Sequence, residues 1–307
     1  MQPRPDSSKP PAPRFNALPA GFSLHWYEVR SVLGQGGFGI TYDALDRNLE
    51  RAVAIKEFFP RNCVVRDGDS YVHATSGDAE TFSWGLSRFI QEAKTLARFR
   101  HQNIVRVISV FELNGTAYMV MERESGKSLW EASRGRTYSE DELLAVVGPL
   151  ALGIEGVHAA GFIHRDIKPD NIMVREDRSP VLLDFGSARQ AVGEHSQKLT
   201  ALVSSGYAPV EQYNVSLGGG AQGPWTDIYA LGATLYHLIC GRKPSDALTR
   251  LSAVIDNTSD PCPTAQSLAP AGFSRELLVA IDRALSVRIQ DRPQSMGVWR
   301  AMLPTVH

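Results

Sequence analysis

The chain has 307 residues, of which 43% are hydrophobic, enough to bury one large core or the cores of two lobes. Its formal net charge is −1 and its basic residues form no cluster in the sequence, which argues against nucleic acid as the main partner. The three cysteines are scattered and lack metal-ligand spacing, which fits a reducing compartment better than a secreted disulfide scaffold.

Residues 1–21 are rich in Pro and Ser and contain little that could pack, so we expect a flexible lead before the folded part. The amino terminus lacks an apolar signal core, and no stretch approaches the roughly 20 apolar residues that cross a bilayer. The sequence therefore predicts a cytoplasmic chain with no membrane partner.

Residues 27–33 alternate between apolar and polar, and residues 40–44 include β-branched and aromatic side chains, which predicts strands near 26–34 and 39–46. Between them runs a Gly-x-Gly-Gly-x-Gly segment from Gly34 to Gly39. Glycines let backbone N–H groups approach a phosphate without a side chain in the way. A dinucleotide-binding turn has similar spacing but opens a helix. Because strands lie on both sides here, a dinucleotide-binding turn is disfavoured.

The next predicted strand, at 51–57, contains Lys56, and a helical pattern follows at 88–99. Glu92 lies next to the apolar face of that helix, where a carboxylate can point inward. Taken singly, a lysine at a strand end is usually solvated and a glutamate on a helix is usually exposed. Glu92 is nevertheless a candidate partner for Lys56.

Further strands at 104–111 and 116–121 would complete a small antiparallel sheet. The segment at about 58–84 is an insertion longer than a minimal connection, and the sequence assigns it no function. Apolar residues with helical spacing at 143–157 and 228–239 predict two helices of a second, larger lobe.

Asp166 and Asn171 precede a predicted hairpin, of residues 172–174 and 181–183, which would bring Asn171 beside Asp184. Transfer of a γ-phosphoryl group needs a carboxylate that accepts the proton of a hydroxyl, and Mg²⁺ on the phosphates. Asp166 is the candidate base. Asn171 and Asp184 offer the oxygens that Mg²⁺ prefers. Lys168 could steady the γ-phosphate.

With these motifs the chain resembles the bacterial serine/threonine protein kinases of eukaryotic type over residues 22–304. The resemblance implies an α+β, bilobal protein-kinase-like fold, with a small antiparallel β-sheet lobe carrying one main helix (22–122) and a larger mainly α-helical lobe (123–304). It implies ATP with Mg²⁺ or Mn²⁺ as cofactors and proteins as substrates. A cognate phosphatase and a dimer that phosphorylates itself in trans are further expectations.

The resemblance assigns Asp166, Lys168, Lys56 and Glu92 to catalysis, with Glu92 paired to Lys56, and it assigns Asn171 and Asp184 to the metal. Met121 would control access to the pocket behind the adenine ring, and backbone groups of residues 122 and 124 would meet that ring. The residues expected to contact the nucleotide are Leu33, Gly34, Gly36, Gly37, Phe38, Gly39, Ile40, Ala54, Lys56, Met121, Glu122 and Glu124.

The stretch from Asp184 to Glu211 resembles an activation segment, although Val210 is an extra residue in its Ala-Pro-Glu end. Ser204 would contact Asp166 and Lys168, which favours Ser or Thr over Tyr as acceptor. An arginine beside the catalytic Asp suggests activation by a phosphate that orders this loop. The candidate autophosphorylation sites are Thr200, Ser196 and Ser205.

Three residues of the large lobe have expected structural roles. Asp227 is predicted to cap its helix and, by the resemblance, to brace the catalytic loop. Arg292 would pair with Glu211.

Two other classes stay open at this point. A pseudokinase that binds nucleotide without transfer would usually have lost one of Lys56, Glu92, Asp166, Asn171 or Asp184, and all five are present. A small-molecule phosphotransferase would not need the segment up to Glu211.

Overall fold

The computed structural model describes residues 16–185, 204–213 and 221–304. The smaller lobe is built on a six-stranded antiparallel sheet. Its strands are β1 (Ser23–Leu24), β2 (Tyr27–Gln35), β3 (Gly39–Asp46), β4 (Arg51–Phe58), β7 (Val107–Leu113) and β8 (Thr116–Glu122). Their spatial order is β1-β2-β3-β4-β8-β7, and neighbouring strands hydrogen-bond in antiparallel register.

Side chains of β4 point to opposite faces of this sheet in turn, as the strand period of two requires. Phe58 stacks on Phe82 and lies against Phe89, with 5.6 Å between ring centroids in both cases. Both partners belong to helix α1 (Ala79–Leu96), which therefore covers one face of the sheet. Lys56 is two residues from Phe58 and shares that face.

Helix α1 begins at Ala79, inside the segment assigned to the insertion. The rest of that segment contains a second antiparallel hairpin, of β5 (Val64–Arg66) and β6 (Val72–Ala74). The predicted lead also needs correction, because Leu18 is only 3% exposed and belongs to the hydrophobic core. Pro and Ser content alone did not show that one apolar residue of the lead is buried.

The expected strand at 104–111 begins at Val107 in the structure. The residues before it bind elsewhere: Ile104 forms a parallel bridge with Leu182, and the Val105 N–H donates to the Leu182 carbonyl at 2.9 Å. This short pairing joins the smaller lobe to the hairpin that carries the candidate metal ligands.

The larger lobe is mainly helical. A three-stranded sheet of β9 (Lys127–Ser128), β10 (Ile172–Val174) and β11 (Pro180–Leu182) lies at its cleft side. Its described helices are α2 (Leu129–Ser133), α3 (Glu140–Ala159), α4 (Pro224–Cys240), α5 (Ala247–Ile255), α6 (Ala265–Leu268), α7 (Arg275–Ala284) and α8 (Met296–Arg300). The expected bilobal α+β fold is confirmed.

Helix α3 is long and apolar enough to cross a membrane by length and composition, contrary to the expectation that no stretch is. Leu143, Val147, Leu150 and Ile154 are buried along it. Half of the helix is buried within the lobe, as in the core helix of a folded domain. Apolar length alone is therefore weak support for a membrane span.

Candidate active site

A buried carboxylate fixes the backbone ahead of Asp166. Asp227 lies in the first turn of α4 and is fully buried. It accepts hydrogen bonds from the backbone N–H groups of His164 and Arg165, each at 2.8 Å, and lies 2.8 Å from His158 Nε2. The helix cap itself is Gly223, so the predicted capping role is wrong. The first helical residue is Pro224, which shifts the cap before Asp227.

The protonation states of this cluster suit its hydrogen bonds. Burial alone would raise the pKa of Asp227, but the hydrogen bond with His158 and the surrounding donors outweigh it and lower that pKa. Burial lowers the pKa of His164, so its ring is neutral. The ring donates from Nε2 to the Leu183 carbonyl at 2.7 Å, which ties the catalytic loop to the segment that carries Asp184.

Three side chains of the described residues converge on Asp166. The Ser204 hydroxyl donates to Oδ1 at 2.9 Å, Lys168 Nζ donates to Oδ2 at 3.0 Å, and Asn171 Nδ2 donates to Oδ2 at 2.9 Å. Lys168 also lies 3.3 Å from the Ser204 hydroxyl. A hydroxyl, a carboxylate and a cation thus meet at one point, as a proton acceptor for a hydroxyl nucleophile requires.

Lys56 reaches the same cleft from β4, and its Nζ lies 3.2 Å from Asp184 Oδ1. Burial alone would lower the pKa of Lys56, but the carboxylates of Asp184 and Glu92 outweigh it and raise that pKa. Glu92 is 2% exposed on the inner side of α1. Lys56 therefore carries its charge between the helix and the cleft, and its nearest described carboxylate is that of Asp184 rather than the expected Glu92.

Lys56, Asp184 and the side chains that meet at Asp166 line a cavity of about 350 Å³. The glycine-rich segment forms its roof, and Gly39 has no room for a side chain, because a Cβ there would lie 2.6 Å from the Glu57 carbonyl. The lining residues are Gly34, Gln35, Gly36, Gly37, Phe38, Gly39, Thr41, Lys56, Phe89, Asp166, Lys168, Asn171, Asp184, Phe185 and Ser204.

The cavity brings together the residues expected at the phosphates, the metal and the acceptor hydroxyl. It does not include Leu33, Ile40, Ala54, Met121, Glu122 and Glu124, which were also expected to contact the nucleotide. Ile40, Ala54 and Met121 are buried. Both oxygens of Glu124 accept from Arg175 at 2.7 Å, which ties the segment after β8 to the β10–β11 turn.

The sequence missed several residues that line or support the site. Thr41 and Phe89 line the cavity, and Phe185 packs on the His164 ring with 4.4 Å between centroids. Gln212 donates to the Arg165 carbonyl at 2.7 Å. The alternation of β3 could have marked Thr41, since it lies opposite Lys56 in the register.

Ser205 and the expected Arg292–Glu211 pair are not among the described residues that line the cavity. Ser205 is exposed, and its hydroxyl donates to Asp246 at 3.0 Å. Thr200 and Ser196 lie outside the described residues. Arg292 donates to Glu211 at 2.7 Å in a fully buried pair.

The donor set fits a divalent cation that also takes oxygens from phosphates and water. Asn171 uses its amide N–H groups toward Asp166, which leaves its side-chain carbonyl oxygen for a ligand, and Asp184 supplies a carboxylate. Such oxygens suit Mg²⁺. Among the residues that the structure describes, no group of three or more His, Cys, Asp or Glu side chains could hold a metal ion.

The chain is similar to known proteins along almost its whole length. The family model described as protein kinase domain matches residues 27–301. The serine/threonine-protein kinase pkn3 of Myxococcus xanthus is 29% identical over 290 residues, covering 91% of this chain and 50% of that protein. The serine/threonine-protein kinase F of Synechocystis is 34% identical over 233 residues, covering 70% of this chain and 44% of that protein.

Solved structures give the same picture. The apo form of PpkA-294 is 40% identical, with a TM-score of 0.82 and coverage of 94% of this chain and 100% of that one. The PknI kinase domain of Mycobacterium tuberculosis, at 22% identity and a TM-score of 0.67, is similar in fold alone. This chain spans at most half the length of the two curated relatives.

Proposed function

The chain belongs to the protein kinase family, and we propose that it transfers the γ-phosphoryl group of ATP to Ser or Thr hydroxyls of proteins. The observation that carries this proposal is the convergence of Ser204 and Lys168 on Asp166, in the cavity that also holds Lys56 and Asp184. A base, two cations and two oxygen donors for a metal are the groups that this transfer needs.

Asp166 orients the acceptor hydroxyl and takes its proton. A bond forms between the acceptor oxygen and the γ-phosphorus, while the bond from that phosphorus to the bridging oxygen breaks and leaves ADP. Lys168 offsets charge on the transferred group, and Lys56 holds the other phosphates. Mg²⁺ held by Asn171 and Asp184 would neutralise phosphate charge when bound.

Ser204 supports a Ser/Thr rather than a Tyr acceptor, because its hydroxyl contacts Asp166 and Lys168 and the curated relatives are named serine/threonine kinases. Activation by autophosphorylation, in trans within a dimer and at Thr200, Ser196 or Ser205, is part of the proposal. Arg165, beside Asp166, is the cation that would receive such a phosphate. Protein substrates and a phosphatase that reverses the modification would then be its partners.

The proposal is tested by following label from γ-labelled ATP into a generic basic protein, together with calorimetry of Mg²⁺–ATP binding. Asp166→Ala should abolish transfer and leave nucleotide binding close to wild type. Asp184→Ala should abolish transfer and weaken binding as well. Asp177→Ala, an exposed carboxylate in the β10–β11 turn, is the matched control and should match wild type. Wild-type transfer rates in either cleft variant would overturn the site assignment.

A further inference from the structure

Glu57 follows Lys56 in β4 and points to the opposite face of the sheet. That face carries a cluster of four side chains, Glu57, Tyr42, Tyr118 and Arg66, which we call the Glu57 cluster. Glu57 and both tyrosines are fully buried. In the register Glu57 lies opposite Tyr118 on β8, and Tyr42 on β3 lies diagonally across from it. A buried carboxylate is costly unless it is fully paired.

Every partner of Glu57 donates to it. The Tyr42 hydroxyl donates to Oε2 at 2.7 Å, the Tyr118 hydroxyl donates to Oε1 at 2.8 Å, and Arg66 donates to Oε2 at 2.6 Å. Burial, and then the charge of Glu57, raise the pKa of both tyrosines, so their hydroxyls keep the protons they donate. The cluster therefore holds one carboxylate with one guanidinium and two phenols.

Arg66 comes from β5 of the inserted hairpin, the segment for which the sequence suggests no role. Its guanidinium donates to the carbonyls of Asn16 and Ser70, at 2.8 and 2.9 Å, besides Glu57. It also lies 5.0 Å from the centre of the Phe59 ring. One side chain thus connects the hairpin, the segment before β1 and the strand that carries Lys56.

The inserted hairpin is itself fixed to the sheet at its other strand. The Val72 N–H donates to the Asn114 carbonyl at 2.8 Å in the β7–β8 turn. Gly115 in that turn has a φ of +71°, and a Cβ there would overlap the Tyr71 ring and the Val72 carbonyl. On the other side the Leu18 N–H donates to the Tyr42 hydroxyl at 3.1 Å. The hairpin and residues 16–18 therefore cover this face together.

We infer that Arg66 is a positioning residue for Lys56, which it holds in place through Glu57, and that this is the function of the inserted hairpin. This inference rests on the proposed function of Lys56. Without Arg66 the buried Glu57 carboxylate loses the cation of its cluster and must move toward water. One peptide bond separates it from Lys56, so a shift of β4 there moves Nζ relative to Asp184.

The test compares Arg66→Met with wild type in the full chain. The kinetic readouts are kcat and KM for ATP, and a third readout is the rate at which an adenosine sulfonyl fluoride labels Lys56, followed by peptide mass spectrometry. Arg66→Met should raise KM for ATP, lower kcat/KM at least about tenfold and slow the labelling, since a displacement of about 1 Å can cost a hundredfold. The unfolding midpoint of each variant would be measured first, so that all assays are run under conditions in which the variant is folded.

The double variant Arg66→Met/Glu57→Gln shows whether the effect passes through Glu57. A neutral amide can accept from one tyrosine through its carbonyl oxygen and donate through its NH2 group to the hydroxyl oxygen of the other. It needs no cation, so the double variant should recover most of the lost kcat/KM. Arg66→Lys keeps the charge but cannot reach all three acceptors, and it should show a smaller loss in the same direction even if Arg66→Met does not fold. Arg47→Met, which removes an exposed pair with Glu28, should behave as wild type.

Wild-type kinetics and labelling in Arg66→Met, with only a lower unfolding midpoint, would reduce the cluster to a stabilising role and overturn the inference. Absence of recovery in the double variant would also overturn it. If the wild type transferred no phosphate, the proposed function would fail, and the labelling rates alone would still decide whether Arg66 positions Lys56.

Discussion

Each lobe holds a fully buried carboxylate behind its side of the cleft, Asp227 in the larger lobe and Glu57 in the smaller. Asp227 accepts directly from two backbone N–H groups of the loop that carries Asp166. Glu57 lies on the same strand as Lys56, and its partners are side chains from three other elements. The larger lobe thus fixes a loop by its backbone, while the smaller lobe fixes a strand through side chains.

The difference determines how each site should fail. Loss of Asp227 releases the loop that bears the base, so the chemical step should suffer. Loss of a partner of Glu57 shifts a strand that remains paired in the sheet, so nucleotide contacts should suffer more than the chemical step. Variants on the two sides should therefore separate kcat from KM for ATP.

The largest effect should come from Asp227→Asn, which disrupts the buried carboxylate that fixes the loop of the larger lobe. An amide keeps one accepting oxygen and turns the other into an NH2 donor, which then faces the backbone N–H of either His164 or Arg165. An unsatisfied buried group costs about 1–3 kcal/mol. We expect kcat to fall by about a hundredfold or more, with a lower urea midpoint. Transfer kinetics and urea unfolding measure the two effects.

Asp141→Asn, at an exposed position in the first turn of α3, is the control for the charge change. It should leave kcat unchanged. If Asp227→Asn behaved like this control, the loop would not depend on the buried carboxylate.

The second largest effect should be a loss of folding stability that leaves the catalytic residues in place. The Arg292–Glu211 pair is fully buried, yet neither residue lines the cleft cavity. Removing one partner of a buried pair costs about 3–5 kcal/mol. Arg292→Met should therefore lower the free energy of unfolding by about that amount, as measured by urea titration, with KM for ATP unchanged below the transition.

The exposed Arg300–Glu155 pair, at 3.1 Å, provides the reference. Arg300→Met should cost at most about 1 kcal/mol. Equal losses in the two variants would mean that burial does not set the strength of these pairs. A raised KM for ATP in Arg292→Met would show that this buried pair also positions the cleft residues, contrary to our account.

The smallest effect is a pH dependence at His237, whose Nδ1 lies 2.5 Å from the Tyr207 hydroxyl. Burial and then Lys243 lower the pKa of His237, against an opposing effect of Asp170. The unfolded chain, with a His pKa of about 6.5, then binds more protons than the folded chain. Stability contributed by neutral His237 is present above that pH and is lost as the pH falls through it.

Urea midpoints between pH 7.5 and 5.5 test this sign. The decline in stability on acidification should be shallower in His237→Phe than in wild type. Identical slopes in the two proteins would show that His237 is not the titrating group. We expect kcat and KM for ATP to stay unchanged in His237→Phe, because His237 lies outside the cleft cavity.

Sequence patterns predicted the sheet well because strand alternation and buried strands leave local signals. β3 was expected at 39–46 and occurs at Gly39–Asp46. The hairpin before Asp184 and the helices of the larger lobe were expected for similar reasons. Asp166, Asn171 and Asp184 carry chemistry at short spacing, so their proximity follows from the sequence itself.

Glu57 and Arg66 could not be predicted in the same way. Glu57 occupies an alternate strand position that would be exposed if nothing covered that face. Arg66 lies in a polar stretch with no periodic pattern, and the cover depends on contacts with Asn16 and Asn114 that are distant in the chain. A buried pair made by an insertion has no local sequence signal.

The claim that this cleft transfers phosphoryl groups to hydroxyls is tested most directly by phosphosite mapping. Purified wild-type and Lys56→Met proteins would be incubated with Mg²⁺ and γ-labelled ATP and then digested for mass spectrometry. We predict phosphate on Ser or Thr in the wild type alone, including residues between 187 and 205. Absence of phosphate in wild type that binds ATP, or equal labelling of both proteins, would contradict the claim.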